Sequence, residues 1–373
     1  MKLQMVDLAS QYRKIKNEID TAVLEVMESS AFINGPKVKE FQQNLQKYLQ
    51  VGHVIPVANG TDALQIALMA LDLKHDDEII APAFTYVATA EVIGLLGLKP
   101  VLVDVDENTF NLTGDILKKN ITPKTKAVVP VHLFGQSADM ENIMLIAREN
   151  GLFVVEDNAQ AIGSIFTFSD GQKMQAGTIG DIGTTSFFPA KNLGAFGDGG
   201  AIFTNNEDFA LKMKIIANHG QSKQYYHDKI GVNSRLDSIQ AAILDVKLKY
   251  LDNYAVARLS VADYYDSQLK NISEIQVPVR NSDSTHVFHQ YTLRVKNGKR
   301  DELKKYLDSQ SIPCNIYYPV PLYKQKAFQN MTDVEYLPVT EMLCNEVLSL
   351  PIHTEMTNEI QDIIIQKIQS FFS

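Results

Sequence analysis

Apolar residues at helical spacing, Ile15, Ile19, Val23 and Val26, predict an amphipathic helix over residues 11–29. A turn signal at Asn34-Gly35-Pro36 closes that segment, and a second helix over 37–49 precedes a strand over 53–58. From there, short apolar runs alternate with helical patterns. Strands are predicted over 78–81, 100–104, 127–131 and 152–155; helices open at Asn59-Gly60-Thr61-Asp62, after Pro82, and over 113–119 and 139–149. Such βαβα order gives a largely parallel sheet with helices on both faces.

Beyond Gln160 the rhythm changes. Residues 164–168 and 173–177 flank Asp170-Gly171, a hairpin signal, and strands over 184–188 and 200–204 bracket a glycine-rich turn. A helix over 208–218 leads into a polar, tyrosine-rich loop, and another over 238–251 opens after Ser234-Arg235-Leu236-Asp237. A long helix over 254–270 then links to a second unit. There, strands are predicted over 274–277, 288–295 and 314–318, with helices over 301–310 and 358–372 and chain breakers at Pro319 and Pro321. The expected division is a large ligand-binding domain over 1–252, including the N-terminal helix, and a small domain over 253–373.

Composition narrows the classes of function. A chain of 373 residues, 45% hydrophobic and 21% charged, can bury a large core. Its net charge of −9 argues against nucleic acid as a partner and requires any phosphorylated ligand to be held by local donors. The two cysteines, Cys314 and Cys344, form no metal-type grouping and read as free core thiols of a reducing compartment. No apolar run reaches the length of a signal segment or membrane span, so the sequence predicts a cytoplasmic protein.

The candidate chemistry lies at strand ends, where open α/β sheets bind ligands. The strand over 152–155 runs into Glu156-Asp157-Asn158-Ala159-Gln160, and Lys191 sits between an aromatic run and the glycine-rich turn. A lysine able to form a Schiff base and an aspartate able to pair with a pyridinium nitrogen are the minimum apparatus of a pyridoxal phosphate enzyme. The carboxylate would favour the charged form of that nitrogen, and apolar surroundings from Phe187, Phe188 and Phe196 would lower the pKa of the amine. Gly60 and Thr61, at the start of a helix, offer free N–H groups and a helix dipole to a phosphate. Each residue taken singly has a plainer reading: Lys191 a surface lysine, Asp157 a helix N-cap, Thr61 or Asp62 the N-cap of its own helix, Phe84 a core aromatic.

Taken together, six strings resemble the DegT/DnrJ-type family of nucleotide-sugar aminotransferases over essentially the whole chain. They are NGTDAL at 59–64, PAFTYVAT at 82–89, EDNAQ at 156–160, SFFPAKNLGAFGDGGAI at 186–202, GVNSRLDSIQAA at 231–242 and YYPVPLYKQ at 317–325. The resemblance implies the α/β fold of the aspartate aminotransferases (fold type I), with a mostly parallel seven-stranded sheet in the large domain and a smaller C-terminal α+β domain. It implies a homodimer with shared active sites. It also implies that Lys191 forms the Schiff base to pyridoxal 5′-phosphate and moves protons, that Asp157 pairs with the pyridine nitrogen, and that Gln160 meets the ring hydroxyl. Phe84 would stack on the ring. Gly60, Thr61 and Ser186 would hold the phosphate, with Asn233 reaching it from the neighbouring subunit, and substrate contacts would fall to Phe32, Arg235, Tyr317 and Tyr318.

By the same resemblance the reaction is transfer of an amino group from glutamate to a nucleotide-linked keto sugar for cell-surface polysaccharide biosynthesis. The subgroup most resembled acts on UDP-linked 3-keto-2-acetamido hexuronic acids; 3-keto or 4-keto 6-deoxy sugars on dTDP, UDP or GDP are the alternatives. A dehydratase of the same family, in which histidine replaces the lysine, and a sensor that keeps the cofactor without turnover are further readings. Lys191 speaks against the first, and Lys191 with Asp157 against the second. Tyr317 and Tyr323 depart from the family, standing where many relatives carry histidine in the loop expected to face the sugar.

Overall fold

A computed structural model of the chain describes residues 3–373. Seven strands form the main sheet in the order His53–Val57, Gly200–Thr204, Ile182–Ser186, Phe153–Asp157, Thr125–Val128, Glu78–Pro82, Lys99–Val103. Gly200–Thr204 alone runs against the rest, pairing antiparallel with the strand on either side. Glu78–Pro82 and Gly200–Thr204 are buried along their whole length, which is why they read as unbroken apolar runs with no alternation.

Helices cover both faces. Gly60–Ala70, Ala88–Leu95 and Glu207–Ala217 pack over Val57, Ile79, Ala81 and Ile202. On the opposite face Pro36–Leu49 and Ser238–Leu248 cover Val54, Ala201 and Phe203, while Gly114–Asn120 and Met140–Asn150 cover Ile80, Val103, Val128 and Val154. The predicted first helix is two helices, Leu8–Lys14 and Lys16–Ser29, jogged at Ile15 so that Ile15, Ile19 and Val26 all reach Ala242, Ile243 and Val246.

The long helix Leu251–Leu269 leads to a second, antiparallel sheet of Ile275–Gln276, Tyr291–Val295 and Val347–Leu350. Its core takes Leu303 and Leu307 from Arg300–Ser309 and Ile364, Ile365 and Ile368 from Asn358–Phe372. Leu3 packs on this smaller core, and the Ile352 N–H donates to Met5 O at 3.2 Å, so the chain's first described residues join the C-terminal unit.

Two expectations are corrected. Residues 314–318 form no strand but a single bridge, Asn315 to Ser349, because Pro313 and Pro319 flank the segment and it turns away toward a cavity. The ladder position goes to Val347–Leu350, preceded by the helix Pro338–Glu346; neither was predicted. The tyrosine-rich loop is a small hairpin, Gln221–Lys223 with Tyr226–His227. Among the described residues no helix is long and apolar enough to cross a membrane.

Candidate active site

Five of the parallel strands send the loops at their carboxyl ends into one cavity of about 720 Å³. Asn59 to Asp62 follow His53–Val57, Thr85 and Tyr86 follow Glu78–Pro82, and Val131 follows Thr125–Val128. Asp157, Ala159 and Gln160 come from the end of Phe153–Asp157, and Ser186, Phe188, Ala190 and Lys191 from the end of Ile182–Ser186. His289, Gln290, Tyr317 and Tyr318 close it from the C-terminal unit. The topology therefore gathers residues more than two hundred positions apart, and the crevice lies where parallel sheets bind ligands.

Lys191 is carried on a turn in which its own N–H donates to Phe188 O and the Ala195 N–H to Phe187 O, both at 2.8 Å. Gly194 makes that turn possible, since a Cβ there would lie 2.2 Å from Pro189 O. Lys191 is half-buried at the cavity wall, and desolvation brings its pKa down from 10.5 to about 8 although Asp157 pulls it upward. Asp157 is buried, with both carboxylate oxygens fixed: Oδ2 accepts from the Thr89 hydroxyl at 2.8 Å and Oδ1 from the Ala159 N–H at 3.1 Å. Beneath it, the fully buried His132 Nδ1 accepts from the Ala138 N–H, so Nε2 carries the proton and donates to Glu156 Oε2 at 2.8 Å. Glu156 also accepts from the N–H groups of Gly177, Ile179 and Gly180, which locks the strand end that presents Asp157.

The helix Gly60–Ala70 points its N-terminus into the cavity. Asn59, and not Thr61 or Asp62, is the N-cap, its Oδ1 accepting from the Asp62 N–H at 2.8 Å. That leaves the Gly60 and Thr61 N–H groups without protein acceptors among the described residues. A Cβ on Gly60 would lie 2.7 Å from Ser186 Cβ, so glycine keeps open a narrow cradle between the helix end and Ser186. Gln160 is buried, its Oε1 accepting from the Phe134 N–H at 2.9 Å while its Nε2 donates to the Tyr318 hydroxyl at 3.2 Å. Burial pushes the Tyr318 phenol well above its usual pKa and the His289 imidazole well below its own, the latter aided by the charges of Lys191 and Arg258; both groups are therefore neutral near pH 7.

Of the residues expected at the site, Gly60, Thr61, Asp157, Gln160, Ser186, Lys191, Tyr317 and Tyr318 line the cavity. Phe84 does not. It is 1% exposed and packs edge-on against Phe134 and Tyr318 and tilted against Phe110, while Tyr86, two residues on and 57% exposed, faces the cavity with its ring 6.3 Å from that of Tyr318. Phe32 and Asn233 are exposed on the surface, and Arg235 opens onto a separate cavity of about 300 Å³ with Lys39 and Lys214. Of the three phenylalanines expected around Lys191, Phe188 lines the cavity; Phe187 is core beside Phe41, and Phe196 packs on Tyr12. Tyr323 is buried away from the cavity, its hydroxyl donating to Glu341 at 2.6 Å. Thr89, Tyr86, His289 and Gln290 went unpredicted at the site; the first two lie inside the PAFTYVAT string, and the last two had only a strand signal.

The DegT/DnrJ/EryC1/StrS aminotransferase family model matches residues 13–369. The chain belongs to that family. It is 42% identical over 351 residues to the UDP-2-acetamido-2-deoxy-3-oxo-D-glucuronate aminotransferase of Pseudomonas aeruginosa, covering 94% of this chain and 95% of the relative. It is 44% identical over 378 residues to a protein of Geobacillus stearothermophilus named a pleiotropic regulatory protein, covering 100% and 99%. Among solved structures, NtdA of Bacillus subtilis, solved with bound cofactor PMP, superposes with a TM-score of 0.89 at 33% identity over 99% of this chain and 83% of that one. The enzyme is thus a fold type I aminotransferase dependent on pyridoxal 5′-phosphate.

The cavity suits that cofactor on its own geometry. A cradle that one added Cβ would fill, with two unspent N–H groups, matches a phosphate. A fixed carboxylate and an amine of lowered pKa share the same cavity.

Proposed function

We propose that the enzyme moves an amino group from glutamate to the C3 keto carbon of a UDP-linked 3-keto-2-acetamido hexuronic acid, for cell-surface polysaccharide biosynthesis. The observation that carries the chemistry is the joint presence of Lys191, at a pKa of about 8, and the doubly held Asp157 in one cavity. The relative of P. aeruginosa carries the substrate class.

When bound, pyridoxal 5′-phosphate supplies an electron sink for the substrate carbon attached to nitrogen. The residues do the rest. Asp157, held by Thr89 and Ala159, would favour the positive charge on the ring nitrogen of that group. Lys191 Nζ, its pKa lowered by desolvation, takes and returns the proton at the substrate carbon. Gly60, Thr61 and Ser186 would hold the phosphate, Gln160 would meet the ring hydroxyl, and Tyr86, in place of Phe84, would cover the ring face. Tyr317 and Tyr318 form the sugar-facing wall. A second copy of the chain brings Phe32, Asn233 and Arg235 to complete the site, which accounts for their outward placement here.

A second reading, a UDP-linked 3-keto sugar with an uncharged C6, is favoured by one observation: Lys191 is the only cation among the cavity-lining residues, against Asp62, Asp157 and Asp198. Incubation with glutamate, followed by a panel of UDP-linked 3-keto sugars with mass analysis of the products, tests both. Conversion of the uronic acid supports the first reading, preference for the uncharged sugar selects the second, and no spectral change with glutamate removes glutamate as the amino donor.

A further inference from the structure

The chain contains a second buried lysine that the reaction does not use. Lys247, on the helix Ser238–Leu248, is 1% exposed, and its Nζ donates to Gly194 O at 2.5 Å. It lies 5.5 Å from the centre of the Phe196 ring, and no carboxylate pairs with it among the described residues. Burial and the charge of Arg258 bring its pKa down to about 8. An ammonium without a counter-ion in a core is costly, so what it touches matters.

What it touches is the turn that carries Lys191. Gly194 O receives no backbone N–H among the described residues, and Lys247 is its donor. The same helix reaches the next stretch of that turn, where Gln240 Oε1 accepts from the Phe196 N–H at 2.9 Å. From the other side, Asn192 Nδ2 donates to Val287 O at 2.9 Å. The backbone just past Lys191 is thus fixed at three points by side chains, and the only charged one is Lys247. The segment cannot relax into a wider turn without losing the close approach of Gly194 to Pro189 O.

We propose that Lys247 is a positioning residue for Lys191: by anchoring Gly194 O it sets the direction in which the Lys191 amine enters the cavity. The inference rests on the reading of Lys191 as the cofactor-bonding lysine. The alternative is a residue that only holds the core together, and the two differ in what removal of the charge does. Lys247→Met keeps the length and apolar stem while removing a buried charge; a core role predicts lost stability, whereas a positioning role predicts retained or increased stability with slowed chemistry.

Wild type, K247M and K247Q, each as the full chain, are compared in three measurements. These are the urea midpoint of the apo-protein, the rate at which added pyridoxal 5′-phosphate becomes fixed to Lys191 by borohydride (read by peptide mass), and steady-state kcat and KM for glutamate. The expected result for K247M is a midpoint at or above wild type, fixation and kcat slowed by about tenfold or more, and KM within about threefold. K247Q, which keeps an N–H donor for Gly194, should return both rates to within about threefold of wild type. Rates of K247M within threefold of wild type, a midpoint that falls together with the rates, failure of K247M to fold, or no recovery in K247Q each overturn the proposal. A wild type that takes no tag at Lys191 sinks the functional reading and this inference together; a tagged wild type with an indifferent K247M sinks this inference alone.

Discussion

Lys191 should make the apo-protein less stable than it need be, and the amount follows from its surroundings. Burial lowers its pKa from 10.5 to about 8, and a tenfold change in proton affinity is worth about 1.4 kcal/mol, so the protonated amine costs the folded state about 3 kcal/mol at neutral pH. The cavity is open to water, which screens part of this and leaves about 1–3 kcal/mol. The sign is set by linkage. The folded pKa lies below the unfolded one, so the stability associated with the neutral amine is fully present above 10.5 and is lost as pH falls through about 8. Lys191→Met, similar in length and without charge, should therefore raise the urea midpoint of the apo-protein near neutral pH by about 0.3–1 M, taking a slope on the order of 3 kcal/mol per M. The gap should shrink steadily as the pH is raised toward 10.5. Urea unfolding of both apo-proteins across that range is the assay. A variant no more stable than wild type at neutral pH, or a gap that does not change with pH, would refute the desolvation argument on which the role of Lys191 as a base depends.

Other substitutions probe the remaining groups. Asp157→Asn should retain cofactor yet lose about two orders of magnitude or more in kcat, because the ring nitrogen loses its anionic partner; a loss below about tenfold in a steady-state assay counts against the assignment. Tyr86→Ala should weaken cofactor binding by about 1 kcal/mol, seen in equilibrium titration of the apo-protein, with the urea midpoint unmoved. Phe84→Ala should instead destabilise the fold by about 3–5 kcal/mol, and the reverse pattern would return Phe84 to the ring face. Arg235→Ala should raise KM for the nucleotide sugar about tenfold or more while the glutamate half-reaction stays within about twofold; equal damage to both would remove it from substrate binding.

Much of this architecture was legible because parallel strands buried on both faces announce themselves as apolar runs, and every strand of the main sheet coincides with one within a few residues. The expected residues that meet in the cavity are those where chemistry fixes both residue type and neighbours: Lys191 beside its glycine turn, Asp157 at a strand end, Gly60 at a helix start. Phe84 lies off the cavity for a geometric reason. Beyond Pro82 the chain leaves the strand, so neither the period of two nor that of 3.6 says which of Phe84 and Tyr86 turns inward, and burial against Phe110 and Phe134 decides it. Residues 314–318 carried a strand's apolarity because Cys314 packs in the small core while Tyr317 and Tyr318 pack under and around the cavity. Lys247 had no sequence signal at all, since a lysine on a helix reads as solvated until the neighbouring helices and Gly194 are seen around it.

The division of labour inside the site follows from charge. The cavity of one chain holds Asp62, Asp157 and Asp198 against the single cation Lys191. A diphosphate entering it would face like charges, each pair at ~6 Å costing about 3 kcal/mol at an effective dielectric of 20. The N-terminus of Gly60–Ala70, with about half a positive charge, can balance the cofactor phosphate beside it and little more. The overall charge of −9 gives no long-range help. The cations that could balance a nucleotide, Arg235 with Lys39 and Lys214, instead line a cavity that opens elsewhere on the same chain. Within one chain, then, the groups proposed for proton transfer share one cavity, while the cations that could recognise a nucleotide line another. The proposed second copy would supply the missing charge, and substrate selection and chemistry would respond to separate sets of substitutions.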